Sequence, residues 1–289
     1  MGKRLTGKPV SKAIYRAVKE DISSLGVEAK LVVLFIGDDP SARFYVRNLE
    51  NRGAKVGIVV ETRHFSGDIT HQSLLSIISE LNTDSTVHGI MLQKPLPSQI
   101  DEDEIVLSIA PGKDMDGFHP LNMGRLVLDQ EGFLPSTPAA VIEMMRHYEI
   151  AVAGKHVVVL GRSAVVGKPL ANLLLRKSNV GNATVTVCHS HTENLAAITR
   201  TADILVAAIG KARFVTPDMI REGAVVIDVG VNEINDGDRG TIYVGDVDFV
   251  GCEEKASAIT PVPGGVGTVT TALLLRNVCL ALKKSMGLA

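Results

Sequence analysis

Two glycines, Gly161 and Gly167, frame a turn at the end of an apolar β-branched run in HVVVLGRSAVVGKPL, residues 156–170. A strand that stops at a glycine and passes straight into a helix presents free backbone N–H groups and the positive end of the helix dipole. That setting suits a phosphate or pyrophosphate. The string is not a Walker A loop, because Pro169 stands where Ser or Thr is required, and it is not GxGxxG, because Ser163 holds the second glycine's place. It reads equally as a tight connection in a doubly wound domain. The next apolar run, 184–188, ends in His189-Ser190-His191-Thr192, with no acid at its tip. A carboxylate there would accept the ribose 2′-OH of NAD and repel a 2′-phosphate, whereas Ser190 can donate to that phosphate and Arg162 can pair with it. This points to NADP, with NAD left open because His191 suits either ribose. The same Ser-His-Thr string also reads as a helix cap.

Four further stretches carry polar, Gly or Pro residues with little packing rationale: GDDPSARFYVRN from Gly37, GIMLQKPLP from Gly89, PGKDMDGFHP from Pro111 and the loop from Pro261 to Gly267. Ligands bind at the C-terminal ends of parallel strands, and the first two stretches are strand ends. Taken singly, Asp116-Gly117 also reads as a turn, Gln93 as a cap and Tyr45 as a packed or surface aromatic.

These residues must be positioned by an α/β framework. Short apolar runs at 31–36, 57–60, 89–92, 156–160, 184–188, 204–207 and 225–229 alternate with helix-period segments at 11–24, 42–54, 72–81, 138–147, 168–177 and 194–201. That alternation predicts parallel sheets covered on both faces. A chain of 289 residues holds about two domains. The prolines of FLPSTP, 133–138, place the boundary there: a first domain over 1–137, completed by a C-terminal helix over 268–289, and a second over 138–267. Two such domains leave a cleft, a common place for small-molecule sites.

Composition excludes several classes. Lys plus Arg number 30 and Asp plus Glu 32, for a net charge of −2, too balanced to hold a nucleic acid backbone. No apolar run is long enough for a membrane helix. Cys188, Cys252 and Cys279 are scattered without a CxxC pair, which fits a reducing compartment and argues against a disulfide framework or metal site. The basic start at 1–6 lacks the apolar stretch of a leader, and a cytoplasmic enzyme is expected.

Taken in order, GIMLQKPLP, PGKDMDGFHPLNMG, VVVLGRSAVVGKP, ATVTVCHSHT and ITPVPGGVGT resemble the FolD family, the methylenetetrahydrofolate dehydrogenase/methenyltetrahydrofolate cyclohydrolases. The likeness runs from about Gly37 into the C-terminal helix. It implies an N-terminal α/β folate domain with the C-terminal helix packed back on it, a Rossmann-like NAD(P)-binding domain, folate in the interdomain cleft and a homodimer. By that resemblance Asp116 grips the pterin 2-amino group and N3, Tyr45 stacks on the p-aminobenzoyl ring and Gln93 lies at the one-carbon centre; these three form the catalytic set. Pro263, Gly264 and Gly265 approach the substrate. Gly161, Arg162, Ser163 and Gly167 cradle NADP, with Ser190 near the 2′-phosphate, and His189 and Gly267 also bind the cofactor.

One departure bears on chemistry. The family places a lysine one helical turn after the tyrosine, where this chain reads Tyr45-Val46-Arg47-Asn48-Leu49. Hydride transfer from 5,10-methylenetetrahydrofolate needs positioning more than acid or base. Hydrolysis of the methenyl product needs protons moved, and Leu49 has no titratable group. An active dehydrogenase with lost or weakened cyclohydrolase activity is therefore expected. Two alternatives stand beside it: a bifunctional enzyme using Lys94 or an ordered water, and a folate or nucleotide binder without turnover. Ser136 and Thr268 depart from the family's common cysteine and proline without chemical consequence.

Overall fold

The computed structural model describes residues 2–237 and 240–288. In chain order its elements are β1 (Lys3–Arg4), α1 (Gly7–Leu25), β2 (Ala29–Ile36), α2 (Pro40–Val56), β3 (Ile58–Phe65), α3 (His71–Thr83), β4 (Gly89–Gln93), α4 (Glu102–Ser108), α5 (Pro120–Val127), α6 (Ser136–His147) and β5 (His156–Leu160). They continue with α7 (Gly167–Leu175), β6 (Thr184–Cys188), α8 (Leu195–Thr199), β7 (Ile204–Ala207), β8 (Val225–Asp228), β9 (Asn232–Asn235), β10 (Thr241–Val244), α9 (Phe249–Lys255), β11 (Ala258–Ile259) and α10 (Gly267–Ser285). The chain forms two compact units, Lys12–Ser136 with Thr271–Ala289, and Met1–Ser11 with Thr137–Thr270. This is the expected two-domain α/β architecture.

The first unit is built on a parallel sheet in the order β3-β2-β4. Central β2 is buried along nearly its whole length, as a strand covered on both faces must be. Its apolar side chains Val32, Leu34 and Ile36 join Leu74, Ile78 and Leu81 of α3 in one core. α2 enters on a strong start signal: Asp39 accepts the Ala42 N–H at 2.7 Å and Pro40 follows it. It leaves at Gly57, whose φ of 82° closes the helix in the left-handed region. β4 gains a partner beyond the sheet, since the Ile90 N–H donates to the Lys113 carbonyl at 2.7 Å. Gly89 makes that approach possible: a Cβ there would meet the Met115 side chain at 2.4 Å. The turn at 113–117 is thereby fixed beside the end of β4. From Thr271 onward α10 belongs to this unit, and Asn277 Nδ2 donates to the Met115 and Leu134 carbonyls at 3.0 and 3.3 Å.

The second unit holds a six-stranded parallel sheet, β1-β11-β8-β7-β5-β6, and the antiparallel hairpin β9–β10. Strand order reverses at β5, which lies between β6 and β7, so Gly161 follows the switch-point strand where doubly wound sheets bind ligands. The expected range 1–137 for the first domain differs at its beginning. β1 pairs with β11, and the Leu5 N–H donates to Ile259 O at 2.8 Å, so the chain from Lys3 to Leu5 joins the six-stranded sheet, and residues as far as Ser11 group with that unit. Strand 57–60 continues to Phe65 as a half-exposed edge; its polar residues hid the extension. Helix 11–24 begins four residues earlier, at Gly7. Among the described residues, no helix is long and apolar enough to cross a membrane.

Candidate active site

In the six-stranded unit, a cavity of about 270 Å³ is lined by Gly161, Arg162, Ser163, His189, Ser190, Ala208, Ile209, Lys211 and Phe214 among others. Gly161 has φ 121°, and a Cβ there would come within 2.1 Å of the Ala208 carbonyl. A Cβ on Gly167 would lie 2.0 Å from the Gly161 carbonyl. Both glycines are therefore dictated by close backbone approach, and Gly167 packs beneath the turn instead of lining the cavity. Ser163 Oγ accepts the Val166 N–H at 3.1 Å, so it organises the entry to α7. His189 Nδ1 accepts the His191 N–H at 3.2 Å, and the His189 N–H donates to Thr192 Oγ1 at 2.8 Å. These bonds close a local turn and do not cap the next helix as the Ser190-His191-Thr192 string suggested: α8 starts at Leu195 behind Asn194, which makes no side-chain cap bond, and Ser190 is left exposed on the cavity rim.

The opposite wall hangs on a buried carboxylate that the sequence did not disclose. Asp246 accepts N–H groups from Ile209, Gly210 and Lys211 at 2.6–3.0 Å. Beside it, Asp228 accepts from Gly230, Asp246 and Val247. Burial pushes the Asp228 carboxyl up to about 7, against those backbone donors. Close packing requires the adjacent glycine, because a Cβ on Gly245 would overlap Asp228 Oδ2 at 1.8 Å.

The three-stranded unit carries Tyr45, Gln93 and Asp116. Tyr45, on α2, shares a hydrogen bond with Thr271, and its hydroxyl is pushed up to about 12 by burial first and the Asp116 charge second. Gln93 ends β4; its Nε2 donates to the Lys94 carbonyl at 2.8 Å, while its buried Oε1 bonds nothing among the described residues. Asp116 receives the Leu92 backbone N–H; burial and then the Asp114 charge push its carboxyl up to about 7, with Lys94 opposing. Asp114 itself is buried and accepts from the Gly117 N–H, the His119 N–H and Asn122 Nδ2 at 3.0, 2.8 and 2.9 Å. It holds the turn that presents Asp116. His119 caps α5 by accepting the Leu121 N–H.

Leu49 is fully buried on the α2 face shared with Ala42, Val46, Gly53 and Val56. Arg47 is exposed. Lys94 Nζ lies 2.5 Å from Glu102 Oε1 and 4.9 Å from the centre of the Phe118 ring.

The structure thus groups Tyr45, Gln93 and Asp116 in one unit and Gly161, Arg162, Ser163, His189 and Ser190 around one cavity in the other. Pro263, Gly264, Gly265 and Gly267 belong to the six-stranded unit and are not among the residues lining that cavity. Gly264, with φ 104°, accepts the Gly7 N–H at 2.8 Å. Sequence reading passed over Lys211, Asp246 and Asp114. The last had a signal, an acid at the head of an Asx-type turn before Gly117.

Comparison with known proteins follows the same division. The catalytic domain of tetrahydrofolate dehydrogenase/cyclohydrolase matches residues 5–116, and the NAD(P)-binding domain of the same family matches 135–286. The bifunctional protein FolD of Chlorobium chlorochromatii is 46% identical, over 98% of this chain and 99% of its own. The crystal structure of the bifunctional FolD methylenetetrahydrofolate dehydrogenase/cyclohydrolase of Campylobacter jejuni has a TM-score of 0.92 at 43% identity, over 98% of this chain and 99% of that one. The Trypanosoma brucei methylenetetrahydrofolate dehydrogenase-cyclohydrolase, crystallised with NADP and an inhibitor, has a TM-score of 0.91 at 35% identity, over 99% and 98% of the two chains. With both domain types matched and relatives covered almost end to end, the chain belongs to the tetrahydrofolate dehydrogenase/cyclohydrolase family.

Proposed function

We propose that the protein oxidises 5,10-methylenetetrahydrofolate to 5,10-methenyltetrahydrofolate with NADP, and that its cyclohydrolase activity is lost or greatly weakened. Asp116 takes the pterin 2-amino group and N3–H as paired donors, a task for which a carboxylate is suited. Tyr45 supplies an aromatic face for the p-aminobenzoyl ring. Gln93 Oε1, buried and bonded to nothing among the described residues, is the acceptor available near the one-carbon centre. The glycine turn at Gly161, with no space for a side chain, and a rim carrying Arg162, Ser190 and Lys211 fit a dinucleotide bearing a 2′-phosphate. When bound, NADP supplies the hydride acceptor. The chain's own contribution to that step is orientation and exclusion of water. The loop at Pro263–Gly265 is assigned to substrate, and Gly267 to the cofactor, on family resemblance.

The observation that carries the reading of weakened hydrolysis is Leu49. Adding water to the methenyl carbon and breaking the C–N bond require proton movement. Leu49 is wholly buried and brings no titratable group, and Lys94 is bonded to Glu102. Two facts favour a bifunctional reading: the Lys94 charge acts on Asp116, and the named relatives are bifunctional. Incubation with methylenetetrahydrofolate and either NADP or NAD tests the assignment. NADP reduction exceeding NAD reduction supports it, and binding without reduction of either overturns it. A homodimer and a cytoplasmic setting complete the reading. Free, buried cysteines at 188, 252 and 279 suit the latter, and a solution mass near 30.8 kDa in place of about twice that would refute the former.

A further inference from the structure

We propose that Lys94 is a positioning residue for pterin binding: its ammonium, pinned between Glu102 of α4 and the Phe118 ring, ties the Asp116 turn to the end of β4 and keeps the Asp116 carboxyl a double acceptor. The inference rests on the folate reading above and deepens it.

Three separate pieces of chain meet at this ammonium. Lys94 follows Gln93 at the end of β4, Glu102 opens α4, and Phe118 lies two residues beyond Asp116 on its turn. The contacts are 2.5 Å from Nζ to Glu102 Oε1 and 4.9 Å from Nζ to the Phe118 ring centre, the latter a cation–π distance. The Leu92 N–H, two residues before Lys94, bonds the Asp116 carboxyl, so the same strand end serves the carboxylate from its backbone and its side chain.

The charges around Asp116 make the need plain. Asp114 adds a negative charge from the same turn and Tyr45 a neutral phenol from α2, while on α10 the neutral Thr271 bonds Tyr45 and the neutral Asn277 bonds the Met115 carbonyl. Lys94, with Glu102 behind it, is the cation acting on the group. A protonated carboxyl has a donor where a pterin edge also presents a donor, so the ionised form is the one that accepts both N–H groups. Burial and Asp114 favour the wrong form, and the ammonium offsets them.

This arrangement has a signed test. Lys94→Met removes a positive charge near Asp116, whereas Glu102→Gln removes the negative charge that partly cancels it. If Lys94 acts through its field, the two variants move Asp116 in opposite directions. If the ion pair only braces the turn, both break the same contact and move it the same way. The carboxyl carbon of Asp116 is titrated by NMR in the ligand-free protein, and affinity for 5-formyltetrahydrofolate is measured across pH by calorimetry. In Lys94→Met the titration rises by about one pH unit and affinity at neutral pH falls about fivefold. In Glu102→Gln the titration falls and affinity rises by at most about twofold, while Lys94→Arg stays near wild type. Shifts of the same sign, or none in Lys94→Met, overturn the role of Lys94 alone. Wild-type protein that binds no reduced folate at any pH overturns the folate reading and this inference with it.

Discussion

Asp114 and Asp116 stand two positions apart on one turn and do opposite things. Asp114 is 3% exposed, with its oxygens taken by Gly117, His119 and Asn122. Asp116 is held up to about 7, in part by the charge of Asp114 itself. One carboxylate builds the turn; the other is the one proposed to take the ligand. Asp114→Ala leaves three donors unsatisfied in a buried turn, at a cost of about 3 kcal/mol in stability, and abolishes reduced-folate binding. Denaturant unfolding with calorimetry checks both, and a loss below about 0.5 kcal/mol would contradict this account of the turn.

The Asp116 position also fixes a pH dependence. A ligand offering two N–H donors binds the ionised carboxyl, so reduced-folate affinity holds above pH 7 and declines as pH falls through it. Each further unit of acid costs about tenfold once the group is protonated. Affinity that stays flat between about pH 5 and 8 would mean that another group grips the pterin.

Stability carries the opposite slope through Asp228. Its folded-state pKa, raised to about 7 by burial, exceeds the ordinary value of about 3.9. The folded protein therefore binds more protons than the unfolded chain between those limits, and stability falls as pH rises through that window. The expected loss is on the order of 2 kcal/mol between about pH 5 and 8, with Asp116 adding in the same direction. Chemical unfolding at the two ends of the range measures it, and stability that rises with pH there would contradict the burial argument.

On the proposed reading, cofactor choice turns on Ser190. Replacing it by Asp places a carboxylate on the rim shared with Arg162 and Lys211, where it repels a 2′-phosphate and accepts a 2′-OH. Ser190→Asp lowers kcat/KM for NADP about tenfold or more, about 1.4 kcal/mol, and raises that for NAD. An unchanged NADP/NAD ratio would move the 2′-phosphate away from Ser190.

Much of the framework that carries the candidate site was legible in the sequence. β5 and the turn from Gly161 to Gly167 stood out because a parallel strand covered on both faces is an unbroken apolar run, and its end marks a ligand position. The N-terminal strand β1 and the hairpin β9–β10 were not legible. β1 is two residues long with both side chains exposed, and the hairpin strands NEIN and TIYV are four residues each with every residue at least partly exposed, too short to leave a clear periodic signature. Asp246 and Lys211 escaped for a different reason. Their roles depend on contacts across 35 positions of chain, which no local pattern encodes. The direction taken by Lys94 was open in the sequence and is settled by Glu102 and Phe118.

Leu49→Lys tests whether one side chain separates the two activities. Position 49 is fully buried, so the new ammonium must extend past the core face of α2 to reach water or the site. The variant should lose about 2 kcal/mol of stability and gain methenyltetrahydrofolate hydrolysis, with hydride transfer little changed. A stable variant without hydrolysis would place the missing function elsewhere.

The most direct measurement is the fate of the product in the wild-type protein. Methylenetetrahydrofolate and NADP are supplied, and reduced cofactor and methenyltetrahydrofolate are followed together, with the rate of spontaneous hydrolysis subtracted. The two products are expected to rise in equal amounts, and methenyltetrahydrofolate then to decay only at the solution rate. Enzyme-dependent hydrolysis well above that rate would contradict the argument from Leu49, and absence of NADP reduction would contradict the dehydrogenase itself.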